Sequence, residues 1–403
     1  MATKKQKVTN VPNLRFQGFK GAWDEKTLGD LSEISSGGTP SRSNPLFWNG
    51  DIPWVSTTLI DFNIIYDTEE RITEEGLKKS SAKLFPKGSL LMAMYGQGKT
   101  RGKIAVLGIE ACTNQACASI ITNKNILDSL FLFQNLSKRY EEIRDLSNQG
   151  GQQNLSGTII KGIKISFPTL IEQERIAAFL SLIDDRIATQ NKIIEQLETL
   201  MQGLREKVFT QKMRFRDDDG GEFAEWEGKT LGDVAEITMG QSPESNSYNT
   251  EGVGMPLIQG NADIKNRKSN PRNYTTDPTK ICEIGDIILT VRAPVGATAK
   301  SYHNACIGRG VCSIKNNSKS TIDFLYQYLL DYEPKWVRLE QGSTFTAISG
   351  SDIKSIEIAI PSVEEQTKIA NLLSVIDEKI EAEKKILVQY EALKIYLLQN
   401  LFI

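Results

Sequence analysis

Trp23-Asp-Glu-Lys-Thr-Leu-Gly-Asp-Leu-Ser-Glu-Ile34 returns later in the chain as Trp226-Glu-Gly-Lys-Thr-Leu-Gly-Asp-Val-Ala-Glu-Ile237. A second pair closes each copy: Phe167-Pro-Thr-Leu-Ile-Glu-Gln-Glu-Arg-Ile-Ala177 and Ile360-Pro-Ser-Val-Glu-Glu-Gln-Thr-Lys-Ile-Ala370. The order is globular part, helix, globular part, helix. Two similar modules on one chain can be related by an approximate two-fold axis, as the halves of a homodimer are. Such an object suits a target that itself has two halves.

The segments after Pro168 and Pro361 carry a heptad seam. Leu180, Ile183, Ile187, Ile194, Leu197, Met201, Leu204 and Val208 alternate spacings of four and three. Leu373, Ile376, Ile380, Leu387, Tyr390, Leu397 and Leu401 do the same. This predicts two long helices, each entered through a proline turn. Both seams break at equivalent places, Gln190 and Glu383. If the helices pair antiparallel and cross near their middles, these two meet and fix the register of the pair. Otherwise each faces solvent at a loose point.

Ahead of each long helix the pattern is short β-rich runs broken by Gly, Pro and Asn turns. Ser89–Met94, Lys103–Leu107 and Ala118–Thr122 precede a helix expected over Leu127–Ser147. Asp286–Val291 and Gly310–Ile314 precede a helix from about Ile322. The expected fold is α+β, with two similar globular α/β domains separated by two long antiparallel coiled-coil helices in a pseudo-two-fold arrangement. The boundaries expected are an N-terminal arm over 1–20, domain one over 21–168, a central helix over 169–212, domain two over 213–361 and a distal helix over 362–403.

At 403 residues each module can bury its own core. Hydrophobic and charged shares of 39% and 24% are those of an ordinary soluble protein, which argues against a membrane or disordered class. No apolar run is of membrane-spanning length, and the polar, lysine-rich opening Met1–Asn10 is no signal peptide. Five cysteines, spaced Cys112-x4-Cys117 and Cys306-x5-Cys312 where they cluster, match no zinc or redox motif. With His303 the only histidine, no metal site is expected. Buried, reduced thiols in a cytoplasmic protein are the simplest reading.

A net charge of −2 counts against a chain-wide basic surface. Local runs differ. Tyr95–Lys103 holds Lys99, Arg101 and Lys103 without an acid, and Ile264–Tyr274 holds Lys265, Arg267, Lys268 and Arg272 without one. Acids gather elsewhere, at Asp67, Glu69, Glu70, Glu74 and Glu75. Basic loops on a neutral protein fit focused nucleic-acid contact.

Catalytic motifs fail one by one. Ala93-Met-Tyr-Gly-Gln-Gly-Lys99-Thr100 has the end of a phosphate-binding loop, but a strand-like run follows where that loop needs a helix. Asn44-Pro-Leu-Phe47 lacks the second proline of the base-methyltransferase loop and reads as a turn. Asp263-x-Lys265 and Asp352-x-Lys354 lack an upstream metal-binding acid and read as surface charge. A triad would need His303, and no nucleophile elbow is present.

Polar loops remain. Amide side chains can contact adenine in bidentate fashion, and Arg or Lys can contact guanine. In the first module the candidates are Gln97, Lys99, Thr100, Arg101 and Lys103, with Gln152, Gln153 and Asn154 from Asn148-Gln-Gly-Gly-Gln-Gln-Asn154. In the second they are Gln259, Asn261, Lys265, Arg267, Lys268, Arg272, Arg292 and Arg309. Ser343 and Thr344, from Glu340-Gln-Gly-Ser-Thr-Phe-Thr346, complete that set. Their recurrence at matching places is the argument for them.

Over nearly its whole length the chain resembles the specificity subunit of type I restriction-modification systems. The features that carry this are the paired Trp-x-x-Lys-Thr-Leu-Gly-Asp openings, Gly38-Thr-Pro-Ser41, Asp51-Ile-Pro-Trp-Val55, Gln149-Gly-Gly151 and the Pro-x-x-x-Glu-Gln-x-x-Ile-Ala helix starts. The second module departs from it, with Gly240-Gln-Ser-Pro-Glu244 and Met255-Pro-Leu-Ile258 in place of the fuller motifs. The resemblance implies two target recognition domains, each on one half of a bipartite, asymmetric double-stranded DNA site. It implies helices that set the spacer and hold two methyltransferase subunits. Those subunits bind S-adenosylmethionine and methylate adenine at N6. Two motor-nuclease subunits add ATP- and Mg-dependent translocation and cleavage. The chain itself is then expected to be non-catalytic and without a cofactor. Two rival readings are a self-contained methyltransferase or nuclease using degenerate motifs, and a coiled-coil adaptor that binds proteins without DNA specificity.

Overall fold

The repeated Lys-Thr-Leu-Gly-Asp builds the same corner twice. Asp30 Oδ2 accepts from the Thr27 hydroxyl and from the Thr27 backbone N–H at 3.3 Å, and Asp233 Oδ2 does the same for Thr230 at 2.7 and 2.9 Å. A carboxylate so placed closes the first turn of the short helices Leu28–Leu31 and Leu231–Val234. The intervening glycine is closely packed in both copies. A Cβ on Gly29 would lie 3.1 Å from Lys161 Cβ, and one on Gly232 would lie 3.1 Å from Lys354 Cβ.

A computed structural model describes residues 10–96, 99–146, 154–342 and 347–403. The fold is mixed helix and sheet, and the chain divides into two compact units: Met1–Asn191 with Ile386–Ile403, and Lys192–Lys385. In the first, a five-stranded sheet runs in the order Ser32–Ser36, Cys117–Thr122, Leu90–Ala93, Ile104–Leu107, Asn63–Ile65. A four-stranded sheet runs Arg71–Ile72, Trp48–Val55, Ala111–Thr113, Leu84–Phe85. Strand periodicity sorts the side chains into two cores. Leu90, Met92, Ile104 and Val106 join one cluster with Phe131 and Leu136, whereas Leu91, Ala93, Ala105 and Leu107 join another with Val55 and Phe85. Burial on both faces explains why these strands are uninterrupted apolar runs.

The helix expected over 127–147 is two helices, Ser129–Lys138 and Tyr140–Asp145. The break falls at Arg139, whose backbone (φ −95°, ψ 17°) leaves the helical region while its guanidinium donates to Lys164 O at 2.7 Å.

The second unit repeats the plan. Its larger sheet orders Ala235–Met239, Val311–Asn316, Ile287–Thr290, Thr298–Lys300, Lys268–Ser269 and Ile264–Lys265. Ile287, Leu289 and Cys312 face one core, Ile288 and Val311 the other. A smaller sheet orders Tyr248–Asn249, Asn273–Thr275, Met255–Ile258, Ala305–Ile307 and Ile281–Cys282.

The long helices form as Leu170–Phe209 (central) and Val363–Leu401 (distal). Forty residues at about 1.5 Å each give the central helix a length of about 60 Å. Each begins on a buried glutamine. Gln173 Nε2 donates to Ile126 O and Pro168 O at 2.9 and 2.8 Å, and its Oε1 accepts from Asp128 N at 2.9 Å. Gln366 makes the same three bonds to Lys319 O, Pro361 O and Thr321 N. These bonds fasten the start of each long helix to a globular domain.

In the first unit Ile176, Leu180 and Ile183 of the central helix share a core with Leu397, Leu401 and Phe402. In the second, Met201 and Val208 pack with Ile369, Leu373 and Ile380. There Arg205 meets Asp377 at 3.2 Å and Glu198 meets Lys384 at 2.7 Å. Partner numbers run in opposite directions, so the two segments lie antiparallel within this unit. Gln190 is 6% exposed and Glu383 is 7% exposed. The segment expected as an arm is docked from residue 10 onward: Leu14 N donates to Asn400 O at 2.8 Å and Phe16 packs edge-on against Phe179. Among the described residues no helix is long and apolar enough to cross a membrane.

Candidate nucleic-acid interface

One end of each unit gathers loops through a shared set of backbone bonds. In the first unit Gly38 N donates to Thr113 O, Asn114 N to Val55 O, Met94 N to Ala116 O and Leu155 N to Met94 O. In the second, Gln241 N donates to Ile307 O, Gly308 N to Ile258 O, Val291 N to Gly310 O and Ile348 N to Val291 O. The correspondence is bond for bond. Glycine is obligatory where the backbones touch: a Cβ on Gly37 would lie 2.0 Å from Thr113 O, and one on Gly240 would lie 2.2 Å from Gly308 O.

The structure divides the sequence candidates. At the first loop end Lys99 and Asn154 are exposed, and Thr100 and Arg101 are partly so. The Tyr140 hydroxyl donates to Lys99 O and anchors that loop. Lys103 is engaged, with Nζ 2.6 Å from Asp61 Oδ1. Gln97, Gln152, Gln153, Ser343 and Thr344 lie outside the described residues. At the second loop end stand Gln259, Asn261, Arg292 and Arg309, the last three exposed. Arg292 bridges to Ala347 through its backbone.

The basic run 265–272 does not act as one set. Arg272 bonds Asp263 at 2.9 Å, and Asp263 in turn accepts from Gln259 N at 2.8 Å. Asp263, expected as surface charge, is therefore a buried brace of the Gln259 loop, 1% exposed. Lys265, Arg267 and Lys268 instead form a hairpin whose turn residues Asn266 and Arg267 have φ of 50° and 60°. Positive φ at both positions marks a tight type I′ connection. Its tip turns to the helix Ile322–Gly342, where Arg267 pairs with Glu333, and Lys268 lies 5.0 Å from the Tyr302 ring centre. A cavity of about 880 Å³ beside this hairpin is lined by Arg205, Lys268 and Lys300 as well as Glu198, Asp331 and Asp377. Burial pushes the Asp331 carboxyl above its ordinary range. The mixed charge suits internal pairing better than polyanion binding.

Sequence reading missed two features of the first loop end. Gln115 is the exposed tip of the Asn114–Ala116 turn, and its side chain accepts from the Thr39 hydroxyl. Arg42 sits over Trp48, with its guanidinium 3.9 Å from the ring centre, and pairs with Glu70. Trp48 and Trp54 hold the 38–44 loop by donating to Ser41 O and Gly38 O at 3.1 and 3.0 Å. An arginine followed closely by Asn-Pro-Leu-Phe-Trp was the available signal.

All five cysteines are buried and free. Burial pushes the thiols of Cys112, Cys117 and Cys312 up to about 12. No group of His, Cys, Asp and Glu among the described residues is placed to hold a metal ion. His303 Nδ1 is bonded to Ser269 Oγ at 2.7 Å, and Asp352 caps the helix Gly350–Lys354.

Comparison with known proteins adds an independent line. The profile of the type I restriction modification DNA specificity domain matches twice, at residues 20–199 and 224–392. A provisionally assigned type I restriction enzyme specificity subunit, MjaX of Methanocaldococcus jannaschii, is 33% identical over 392 residues, covering 92% of this chain and 91% of that protein. The EcoR124I/EcoR124II specificity subunit of Escherichia coli is 30% identical over 201 residues, 49% of this chain and 48% of that one. Among solved structures, the type-I restriction-modification system S subunit from M. genitalium aligns with a TM-score of 0.67 at 18% identity, covering 98% of this chain and 99% of that one. A chain from "Structural basis underlying complex assembly and conformational transition of the type I R-M system" aligns at 0.58 with 25% identity, covering 94% and 97%.

Proposed function

Because the chain belongs to the type I restriction modification DNA specificity family, we propose that it is the DNA-reading subunit of such a complex. Each unit reads one half of a bipartite, asymmetric duplex site. The observation that carries this is the duplicated loop end, where equivalent backbone bonds present exposed, different polar side chains in the two units. A scaffold held constant under variable tips is what reading two different half-sites requires. Base edges give sequence, while phosphates give position and affinity.

Lys99, Thr100 and Arg101 are assigned to the first half-site, and Gln259, Asn261, Arg292 and Arg309 to the second. Gln97, Gln152, Gln153, Asn154, Ser343 and Thr344 are assigned on sequence pattern. Lys103 and Arg272 brace the loops through their ion pairs, and Arg267 ties its hairpin to the helix Ile322–Gly342. The long helices act as spacer and hold two modification subunits, with Gln190 and Glu383 contributing to helix register. The near-neutral charge of the chain fits a complex in which those subunits share the phosphate contacts.

The chain performs no chemistry in this reading. S-adenosylmethionine belongs to the modification subunits, which methylate adenine N6. ATP and Mg belong to motor-nuclease subunits where present, and the whole complex works in the cytoplasm. The protein-only adaptor reading leaves two elaborated polar loop ends without a role.

Exchange of residues 213–361 for the corresponding segment of another family member tests the modular reading. One half-site of the methylation motif should change and the other should stay. A change in both halves would refute it.

A further inference from the structure

We propose that Gln115 and Arg309 are equivalent base-reading residues of the two modules, Gln115 for adenine and Arg309 for guanine. This rests on the DNA-reading function above and goes further by naming the contacts and the bases. The equivalence follows from bonding. Asn114 N donates to Val55 O as Gly308 N does to Ile258 O, and Met94 N donates to Ala116 O as Val291 N does to Gly310 O. Within each tip the turn closes in the same way: Cys117 N donates to Asn114 O at 3.3 Å, and Val311 N to Gly308 O at 3.1 Å. The residue between is Gln115 in one unit and Arg309 in the other, and both are exposed.

The first loop of each module supplies a hydroxyl to that residue. Thr39 Oγ1 donates to Gln115 Oε1, which leaves the amide NH₂ and a second lone pair of Oε1 available. Those groups match the N7 acceptor and N6 donor of adenine in the major groove. Ser242 Oγ accepts from Arg309 N at 3.2 Å and from Arg309 Nε at 3.4 Å. Binding through Nε leaves the two terminal NH₂ groups as a fork, the arrangement that meets guanine O6 and N7. A side chain oriented before binding also loses less entropy on contact. Thr39-Pro40 and Ser242-Pro243 are thus the same positioning device carrying different readers.

The test uses the complex with its modification subunits, selecting bound sequences from a random duplex library and sequencing methylated bases in a methylation-free host. Gln115→Arg should replace A by G at one position of one half-site, and Arg309→Gln should replace G by A in the other. Gln115→Ala and Arg309→Ala should each lower discrimination at that same position about tenfold or more. Unchanged preference in the alanine variants would overturn the proposal, as would a change in the same half-site for both residues. Folded variant complexes that lose all DNA preference would also overturn it, because the residues would then be structural. A wild-type complex without sequence preference would overturn the DNA-reading function itself, an outcome separate from the other three.

Discussion

Arg15 grips Glu172 with two hydrogen bonds of 2.7 Å, from Nε and Nη2, and the Glu172 side chain is only 1% exposed. The second unit repeats the device between Arg214 and Glu365, whose side chain is wholly buried. Removing the guanidinium takes the charged partner from a buried carboxylate, although Glu365 keeps the Trp226 Nε1–H donor at 3.1 Å. Arg15→Ala should therefore destabilise the first unit by about 3 kcal/mol, and Arg214→Ala the second by a similar amount. Urea titration of each variant measures this. A loss close to zero would mean the pair is as solvated as a surface bridge.

The charged candidates should separate by salt dependence. Lys99 is exposed, so Lys99→Ala should weaken DNA binding by the complex and reduce the slope of log K against log salt by about 1. Arg267→Ala breaks the pair with Glu333 and should leave that slope unchanged, lowering thermal stability slightly. Equal slopes for both variants would contradict the division drawn between the loop end and the hairpin.

Gly37→Ala and Gly240→Ala should each damage one module only. The added methyl would lie 2.0 or 2.2 Å from a carbonyl oxygen, so the first loop must move off the tip turn. The expected readout is degraded recognition of one half-site in the methylation motif, with the other half intact. Preserved recognition of both halves would show that the loop tolerates displacement.

Thiol chemistry gives a simpler check. All five cysteines are buried, and burial holds Cys112, Cys117 and Cys312 far from ionisation at neutral pH. The folded protein should not react with a thiol-specific reagent at pH 8, whereas denatured protein should show five reactive groups. Rapid labelling of the native chain would reveal an open core.

Local pattern was sufficient for the long helices, the buried strands and the duplication. Apolar runs such as Leu90–Ala93 and the heptads after Pro168 and Pro361 act over a few neighbouring residues. The site was less legible, because its organisation depends on distant partners. Lys103 is neutralised by Asp61 and Arg267 by Glu333, and no count of charge within a short window shows either pairing. Asp263 looked like surface charge because Arg272 braces it only after the chain has folded back. Gln115 carried no signal of its own: in the short Asn114-Gln115-Ala116 link between two strands it becomes a loop tip only when Thr39 and Met94 are brought beside it. The repeated glutamines Gln173 and Gln366 were visible as a motif, yet their role as helix anchors needed the carbonyls they reach.

The most direct test of the central claim is methylome sequencing of a methylation-free host that expresses this chain with its modification subunit, compared with that subunit alone. The account predicts a split adenine-methylated motif that appears only when both are present. A stable complex with a modification subunit that binds S-adenosylmethionine, yet yields no sequence-specific methylation, would contradict it.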